Sequence, residues 1–227
     1  LYVSASIGMS LYPQDGQNAG ILLQNADAAM YKAKHEGRRN VQFYTADMTE
    51  LAFERVLMET HLHRALEREQ FVVYYQSQMD LLTGRLVGLE ALVRWQHPEL
   101  GLLLPTKFIP LAEDTGLILP LGKWVLETAC RQIAAWHDAE LYPGRIAVNL
   151  TGNQLKNDKV IPTIEQILEE NGCQPDWLEL EITESVIMEQ HGRSFNSLQR
   201  LRDHGIELAI DDFGTGYSSL AHLKRLP

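Results

Sequence analysis

Five oxygen-bearing side chains stand at the ends of apolar runs: Glu90 in LVGLEAL, Asn149 in IAVNLT, Glu181 in LELEIT, and Asp211 with Asp212 in LAIDD. Such residues are unusual inside strands that are otherwise apolar. The separations from 90 to 149, 149 to 181 and 181 to 211 are 59, 32 and 30 residues. A βαβ unit takes about 30 residues. The last two separations therefore match single repeats, and the first matches nearly two.

Residues at equivalent ends of parallel strands converge in one small volume, at the edge where α/β barrels place their chemistry. Several carboxylates cannot share that volume in ionised form unless a cation neutralises them. Oxygen ligands from Asp, Glu and Asn suit Mg²⁺, Ca²⁺ or Mn²⁺ rather than zinc. Adjacent aspartates could each hold a different ion, as in two-metal phosphate-ester hydrolysis. A single acid at a strand end is more often a helix cap or a surface charge, but recurrence in register favours a shared site.

Arg94 follows Glu90 by four residues, near the same strand end. Its guanidinium could hold a phosphate through two parallel hydrogen bonds. A surface ion pair explains the residue equally well, and the residue pattern leaves both interpretations open.

Alternating strands and helices predict an α/β fold with a largely parallel sheet. The segment from residue 70 to 227 contains about five strands, whereas a closed TIM barrel needs eight and roughly 250 residues. We therefore predict an incomplete TIM-like (β/α) barrel. Its predicted strands are 71–76, 86–95, 145–150, 177–182 and 206–212, and its helices are 106–116, 121–138, 160–172, 194–205 and one that begins within 217–226.

The first part of the chain has a different organisation. A strand is predicted over 1–13, a helix over 21–37 and a strand over 40–44. This β-α-β piece is too small to bury much core by itself. We predict three parts: a domain remnant at 1–46, a linker helix with one apolar stripe at 47–69, and the barrel segment at 70–227.

Composition excludes several classes of protein. The net charge is −10 and the isoelectric point is near 5.3, whereas nucleic-acid-binding surfaces are normally basic. The apolar runs are too short to cross a bilayer, so no membrane segment is predicted. Cys130 and Cys173 form no metal-binding pattern and are expected to be reduced core thiols of a cytoplasmic protein. The triplet at 212–214 spells DFG, but no kinase catalytic loop precedes it.

The motifs YYQSQ, LEALVRW, HPELG, FIPLAEDTG, AVNL, LELEITES and DDFGTGYSSL occur in an order that resembles the EAL domain of cyclic di-GMP phosphodiesterases. The resemblance covers residues 67–227. The opening segment, with SIG and ADAAMYKAKHEGRRN, resembles the C-terminal third of a GGDEF domain. Together they imply a fragment of a tandem GGDEF–EAL bacterial signalling protein, with a β-α-β GGDEF remnant before an incomplete EAL barrel. The implied reaction is metal-dependent hydrolysis of cyclic di-GMP to linear pGpG.

The resemblance also implies roles for individual residues. The ligands of one Mg²⁺ or Mn²⁺ ion would be Glu90, Asn149, Glu181 and Asp211, and Asp212 would hold a second ion. Glu90, Asp211 and Asp212 would thereby act in catalysis.

Three further residues receive roles from the same resemblance. Gln76 and Arg94 would contact the cyclic dinucleotide. Glu184 would brace the loop at 212–220, which in the family covers the metal site and links it to dimerisation. A homodimer through the EAL domain is therefore expected, within a parent protein that could be anchored in a membrane upstream.

The chain departs from the family pattern in small and large ways. Ser77 replaces the usual proline and Thr151 the usual serine, and neither is a proposed ligand. The GGDEF signature is absent, and the family's water-activating lysine, a further glutamate motif and a late glutamine are expected after residue 227. We therefore expect the chain alone to be inactive. The alternative function is a non-catalytic cyclic di-GMP receptor or interaction module.

Overall fold

A computed structural model describes residues 4–37, 39–189 and 193–214. The chain divides into two compact units, Leu1–Leu62 and His63–Pro227. The division falls inside helix α2 (Ala46–Glu67), the linker helix predicted at 47–69.

The first unit contains strand β1 (Ile7–Met9), helix α1 (Ala19–His35) and strand β2 (Val41–Phe43), which pairs with β1 in parallel. The predicted opening strand was therefore too long. Pairing extends over only three residues, because β2 is itself that short. Gly8 lets β1 pack directly against α1, since a Cβ at this position would lie 2.0 Å from the Ala26 carbonyl oxygen.

The second unit carries the rest of the regular structure. Its strands are β3 (Phe71–Met79), β4 (Leu86–His97), β5 (Gly101–Leu103), β6 (Arg145–Asn149), β7 (Leu178–Thr183) and β8 (Glu207–Asp211). Its helices are α3 (Pro105–Thr115), α4 (Ile118–Asp138), α5 (Gly152–Leu155), α6 (Val160–Glu170), α7 (Glu184–Glu189) and α8 (Arg193–Asp203), with a 3₁₀ helix at Pro175–Trp177. The helix predicted within 217–226 lies outside the described residues.

These strands form one sheet in the order β3-β4-β6-β7-β8, with β5 paired to β4. Strands β4, β6, β7 and β8 are parallel, as the alternating pattern predicts. Strand β3 is antiparallel to β4, because the short Thr83-Gly84 turn joins them as a hairpin. Four of the described elements were not predicted, because each is short and has no periodic pattern of its own: β5, α5, the 3₁₀ helix and α7.

One face of the sheet packs against helices and the other carries polar side chains. In β7, Leu178, Leu180 and Ile182 are buried while the alternate residues are only half-buried. The period of two in a strand produces this separation. Cys130 and Cys173 are buried free thiols. Close to the first strands, the covered face holds an aromatic cluster of Phe71, Trp95, Phe108 and Trp124.

Candidate functional site

The strand register brings the predicted site residues onto the polar face. Glu90 of β4 is paired with Ala147 of β6, so Asn149, two residues further along β6, points to the same side. Asn149 is paired with Glu181 of β7. Asp211, paired with Thr183, ends β8 on the same face. Four neighbouring strands therefore each contribute one oxygen-bearing side chain to this face. Asn149, Glu181 and Asp211 lie at or near the carboxyl ends of their strands, whereas Glu90, predicted at a strand end, lies in the first half of the longer β4.

Two side-chain hydrogen bonds connect this group. The Asn149 Nδ2 atom donates to Glu90 Oε1 at 2.9 Å, although the two residues are 59 positions apart in the chain. The Gln78 Nε2 atom donates to Glu181 Oε1 at 3.4 Å. Tertiary structure thus joins β3, β4, β6 and β7 through their polar side chains.

The carboxyl group of Glu181 stands in an unfavourable environment for a negative charge. Burial, followed by the charges of Glu90, Asp211 and Glu179, raises its pKa from 4.5 to about 7. A nearby cation would relieve both causes, because it replaces lost hydration and opposes the like charges. Strong pKa perturbation by burial and specific neighbours is typical of functional sites.

Asp211 ends β8, and Asp212 follows it in a constrained conformation. The Asp212 backbone N–H donates to Asp211 Oδ1 at 2.8 Å. Asp212 has a φ of 55°, in the left-handed region that residues other than glycine seldom occupy. Such backbone strain is often found at ligand sites, because the surrounding structure must impose it.

The two residues predicted to contact substrate lie on the same face, on β3 and β4. Gln76 is paired directly with Glu90. Arg94 lies further along β4, where its Nη1 atom donates to the Val93 carbonyl oxygen at 2.9 Å and its guanidinium sits 5.8 Å from the Tyr74 ring centre.

A largely apolar cavity of about 550 Å³ opens beside Asp211 and Asp212. Helices α3 and α4 contribute Ile109, Pro110, Leu121 and Val125 to its walls, and the strand ends contribute Asn149, Asp211 and Asp212. Ligand sites commonly combine an apolar wall with a few polar groups in this way.

Comparison with known protein families identifies the family of the chain. The family model "EAL domain" matches residues 59–227, which is most of the chain. The chain belongs to the EAL domain family. A second family model, "Diguanylate cyclase, GGDEF domain", matches residues 1–40. Both resemblances found in the motifs are confirmed.

Relatives of this EAL protein include two from Pseudomonas aeruginosa. The bifunctional diguanylate cyclase/cyclic di-GMP phosphodiesterase MucR is 45% identical over 99% of the chain and 33% of its own length. The cyclic di-GMP phosphodiesterase NbdA is 43% identical over 100% of the chain and 29% of its own length. The chain thus spans about a third of the length of these curated relatives.

A solved structure described as the PaMucR phosphodiesterase in complex with c-di-GMP shares the fold of this EAL protein. Its TM-score is 0.73 at 44% identity, with 75% of this chain and 69% of that chain covered. The predicted α/β fold class, a partial TIM-like barrel of the EAL type, is confirmed. None of the helices in the described ranges is long and apolar enough to cross a membrane.

EAL phosphodiesterases depend on divalent metal ions, and the donor set of this EAL domain fits such an ion in its chemistry. Carboxylates and one amide oxygen are the ligands that hard cations prefer. Within the described residues, no three His, Cys, Asp or Glu side chains are yet gathered at ligation distance. The Asn149 amide also turns its nitrogen toward Glu90 and would have to rotate to present oxygen.

Glu184 connects the site to the segment that follows it. Its buried side chain accepts a hydrogen bond from the Gly214 backbone N–H at 2.8 Å. Gly214 belongs to the loop predicted at 212–220, whose part from 215 onward lies outside the described residues. The proposed bracing role of Glu184 stays a prediction.

Replacement of Glu184 by alanine should release Gly214 selectively. A hydrogen bond to a charged acceptor contributes about 1.5–3 kcal/mol, so the Gly214 amide should exchange at least about 10-fold faster with deuterium. Hydrogen-exchange mass spectrometry on the 211–214 region measures this. Ser185→Ala, at the neighbouring exposed position, serves as control. Unchanged exchange in Glu184→Ala would show that the hydrogen bond does not restrain the loop.

Two polar residues of the site were not singled out from the sequence. Gln78 donates to Glu181, and Glu179 contributes to the raised pKa of Glu181. The period-two rule could have found both, because Gln78 has the parity of Gln76 and Glu179 has the parity of Glu181. Gln78 lies beyond the strand predicted at 71–76, because β3 extends to Met79, and Glu179 lies near the start of β7.

Proposed function

We propose that this EAL chain is part of a cyclic di-GMP phosphodiesterase that hydrolyses one 3′–5′ phosphodiester bond to give linear pGpG. The observation that carries the proposal is the placement of Glu90, Asn149, Glu181 and Asp211 on one face, where burial and neighbouring charges raise the pKa of Glu181 to about 7. Such a cluster is suited to binding a cation. The cyclic di-GMP named for the related phosphodiesterases supplies the substrate class.

Glu90, Asn149, Glu181 and Asp211 would hold one Mg²⁺ or Mn²⁺ ion, and Asp212 would hold a second. When bound, these ions supply a water of lowered pKa and neutralise negative charge on the phosphate. The residues themselves set the positions. Asn149 and Glu181 lie directly opposite each other on neighbouring strands, and Asp212 follows Asp211 in a left-handed backbone conformation.

The substrate would be oriented by groups on both sides of the carboxylates. Arg94 would turn from the Tyr74 ring to pair with a phosphate, since a guanidinium can bind it through two hydrogen bonds. Gln76, which is paired with Glu90, would also contact the cyclic dinucleotide. The 550 Å³ cavity would receive a guanine base against its apolar wall and exclude water from that side.

Two features of the working protein form part of the proposal. A homodimer through the EAL domain would couple to the metal site through the Glu184 contact with Gly214. The reaction would take place in the cytoplasm, where the two buried cysteines stay reduced.

The test measures cyclic di-GMP binding to the 227-residue chain by calorimetry in Ca²⁺, followed by product analysis in Mg²⁺ and Mn²⁺. We expect cation-dependent binding that falls at least about 10-fold in Glu90→Gln, because even residues behind the ligands change metal affinity by about that factor. Glu99→Gln, at an exposed turn, should bind as the parent chain does. The proposal would be overturned if the affinity for cyclic di-GMP depended neither on the cation nor on the Glu90→Gln substitution.

Formation of pGpG distinguishes a phosphodiesterase from a non-catalytic cyclic di-GMP receptor. The chain alone should form little pGpG, since the family resemblance places the water-activating lysine beyond residue 227. A longer protein that contains the chain should form pGpG in Mg²⁺ or Mn²⁺. The Glu90→Gln variant of that protein should no longer form pGpG. Tight binding without pGpG from the longer protein would instead identify a non-catalytic receptor.

A further inference from the structure

Gln78 lies outside the predicted ligand set but reaches into it. It belongs to β3, whereas Glu181 belongs to β7, and strands β4 and β6 lie between them in the sheet. The Gln78 Nε2 atom nevertheless donates to Glu181 Oε1 at 3.4 Å. We propose that Gln78 is a positioning residue that orients the Glu181 carboxylate for cation binding. This inference rests on the proposed metal-dependent function.

The path of the Gln78 side chain depends on a glycine. Gln78 is paired with Gly88 of β4, and a Cβ on Gly88 would lie 2.8 Å from Gln78 Oε1. That distance is too short for real carbon and oxygen atoms, so any larger residue at position 88 would displace the amide. Gly88 therefore leaves the space across which Gln78 extends toward the centre of the sheet.

A second small residue lies along the same path. Ala147 of β6 is on the polar face, since it is paired with Glu90, and its exposed fraction is only 1%. A larger side chain here would stand between Gln78 and Glu181. The two intervening strands thus both carry small residues along this path, Gly88 on β4 and Ala147 on β6.

The hydrogen bond has a directional consequence for Glu181. An amide N–H can only donate, so Gln78 occupies a lone pair of Oε1 and restricts the rotation of the carboxylate. The remaining lone pairs are held in one orientation relative to Glu90 and Asp211. Partners of this kind, which stand behind a metal ligand, typically change metal affinity 10–100-fold when removed.

The experiment titrates the 227-residue chain with Mn²⁺ and follows binding by electron paramagnetic resonance. Gln78→Met keeps the length of the side chain without a donor, and Gln78→Asn keeps the donor on a side chain one methylene shorter. We expect both to bind Mn²⁺ about 10-fold more weakly and to change the spectrum of the bound ion. Ser77→Ala, the exposed neighbour whose side chain points to the opposite face, should match the parent chain.

A double-substitution cycle tests the role of Gly88. Gly88→Ala displaces the Gln78 amide, so it should weaken Mn²⁺ binding in the parent chain. In the Gln78→Met background it should weaken binding markedly less, because the amide is already gone. Equal effects in both backgrounds would show that Gly88 acts independently of Gln78.

The outcomes separate this inference from the proposed function. A parent chain that binds no Mn²⁺ would overturn both. A parent chain that binds Mn²⁺, with Gln78→Met and Gln78→Asn binding equally well and with an unchanged spectrum, would overturn the positioning role alone. Thermal unfolding without cation shows whether each variant is folded, and a folded Gln78→Met with weakened binding supports the inference.

Discussion

Glu181→Gln is expected to stabilise the cation-free protein near neutral pH and, in the same variant, to weaken divalent-cation binding at least about 10-fold, as for Glu90→Gln. The two effects have one origin. Burial and the charges of Glu90, Asp211 and Glu179 raise the pKa of Glu181 from 4.5 to about 7. Glutamine has nearly the same shape but no charge, so it removes the repulsion and a cation ligand together.

The sign of the pH dependence follows from proton counts. Between about pH 4.5 and pH 7 the folded protein keeps the Glu181 proton, whereas the unfolded chain has lost it. The unfolding free energy therefore falls as the pH rises through this interval. In Glu181→Gln this contribution is absent. The stability advantage of the variant should be nil below about pH 4.5 and should grow until about pH 7.

Urea denaturation in the presence of a chelator, at several pH values across the interval, measures this advantage. Glu169→Gln, an exposed position on α6, controls for the general loss of one negative charge. The Glu181 side chain is only partly buried and solvent screens its charge, so the direction of the trend is the decisive quantity. A Glu181→Gln variant less stable than the parent at neutral pH would contradict the electrostatic account of the site.

Gly144→Ala is expected to destabilise the second unit by about 3 kcal/mol or more. Gly144 directly precedes β6 and has a φ of 89°. A Cβ there would lie 1.9 Å from the Val87 carbonyl oxygen and 2.4 Å from its carbonyl carbon. These are backbone atoms of the neighbouring strand and cannot rotate away. The substitution would push β6 away from β4 at the point where Gly88 and Arg145 are paired.

Gly101→Ala is the matched control for this prediction. Its φ of 72° is also left-handed, but nothing lies within 4 Å of the position that the new methyl group would take. Only the conformational cost of about 1 kcal/mol should remain. Urea denaturation of the two variants separates steric contact from backbone conformation. Equal decreases in the free energy of unfolding of the two variants would show that the close approach of β6 to β4 does not cause the destabilisation.

The strands, the helices around them and the polar face were accessible from sequence because they depend on local chemistry. Apolar runs interrupted by single acids, with spacings of one or two βα repeats, placed Glu90, Asn149, Glu181 and Asp211 at strand ends. The parallel register then put them on one face, since side chains alternate with a period of two. The family resemblance of the motifs added the expected roles, and the EAL and GGDEF matches confirmed that family.

Other features could not be read from local patterns. The three-residue strand β5 exists only because β4 offers it an edge, and the short β2 limits β1 to three residues. The contact of Arg94 with Tyr74 depends on side-chain packing across the β3 and β4 hairpin. Short elements and rotamers of this kind take their stability from tertiary contacts rather than from residue propensity.

By itself the sequence determined which side chains could bind a cation and which strands carry them, because composition and spacing are properties of the chain alone. Only the tertiary structure decided how those groups affect one another. The hydrogen bond from Gln78 to Glu181 joins residues 103 positions apart. The raised pKa of Glu181 likewise depends on burial and on charges from other strands. Electrostatic and hydrogen-bond energies depend on distance in space, and folding sets that distance.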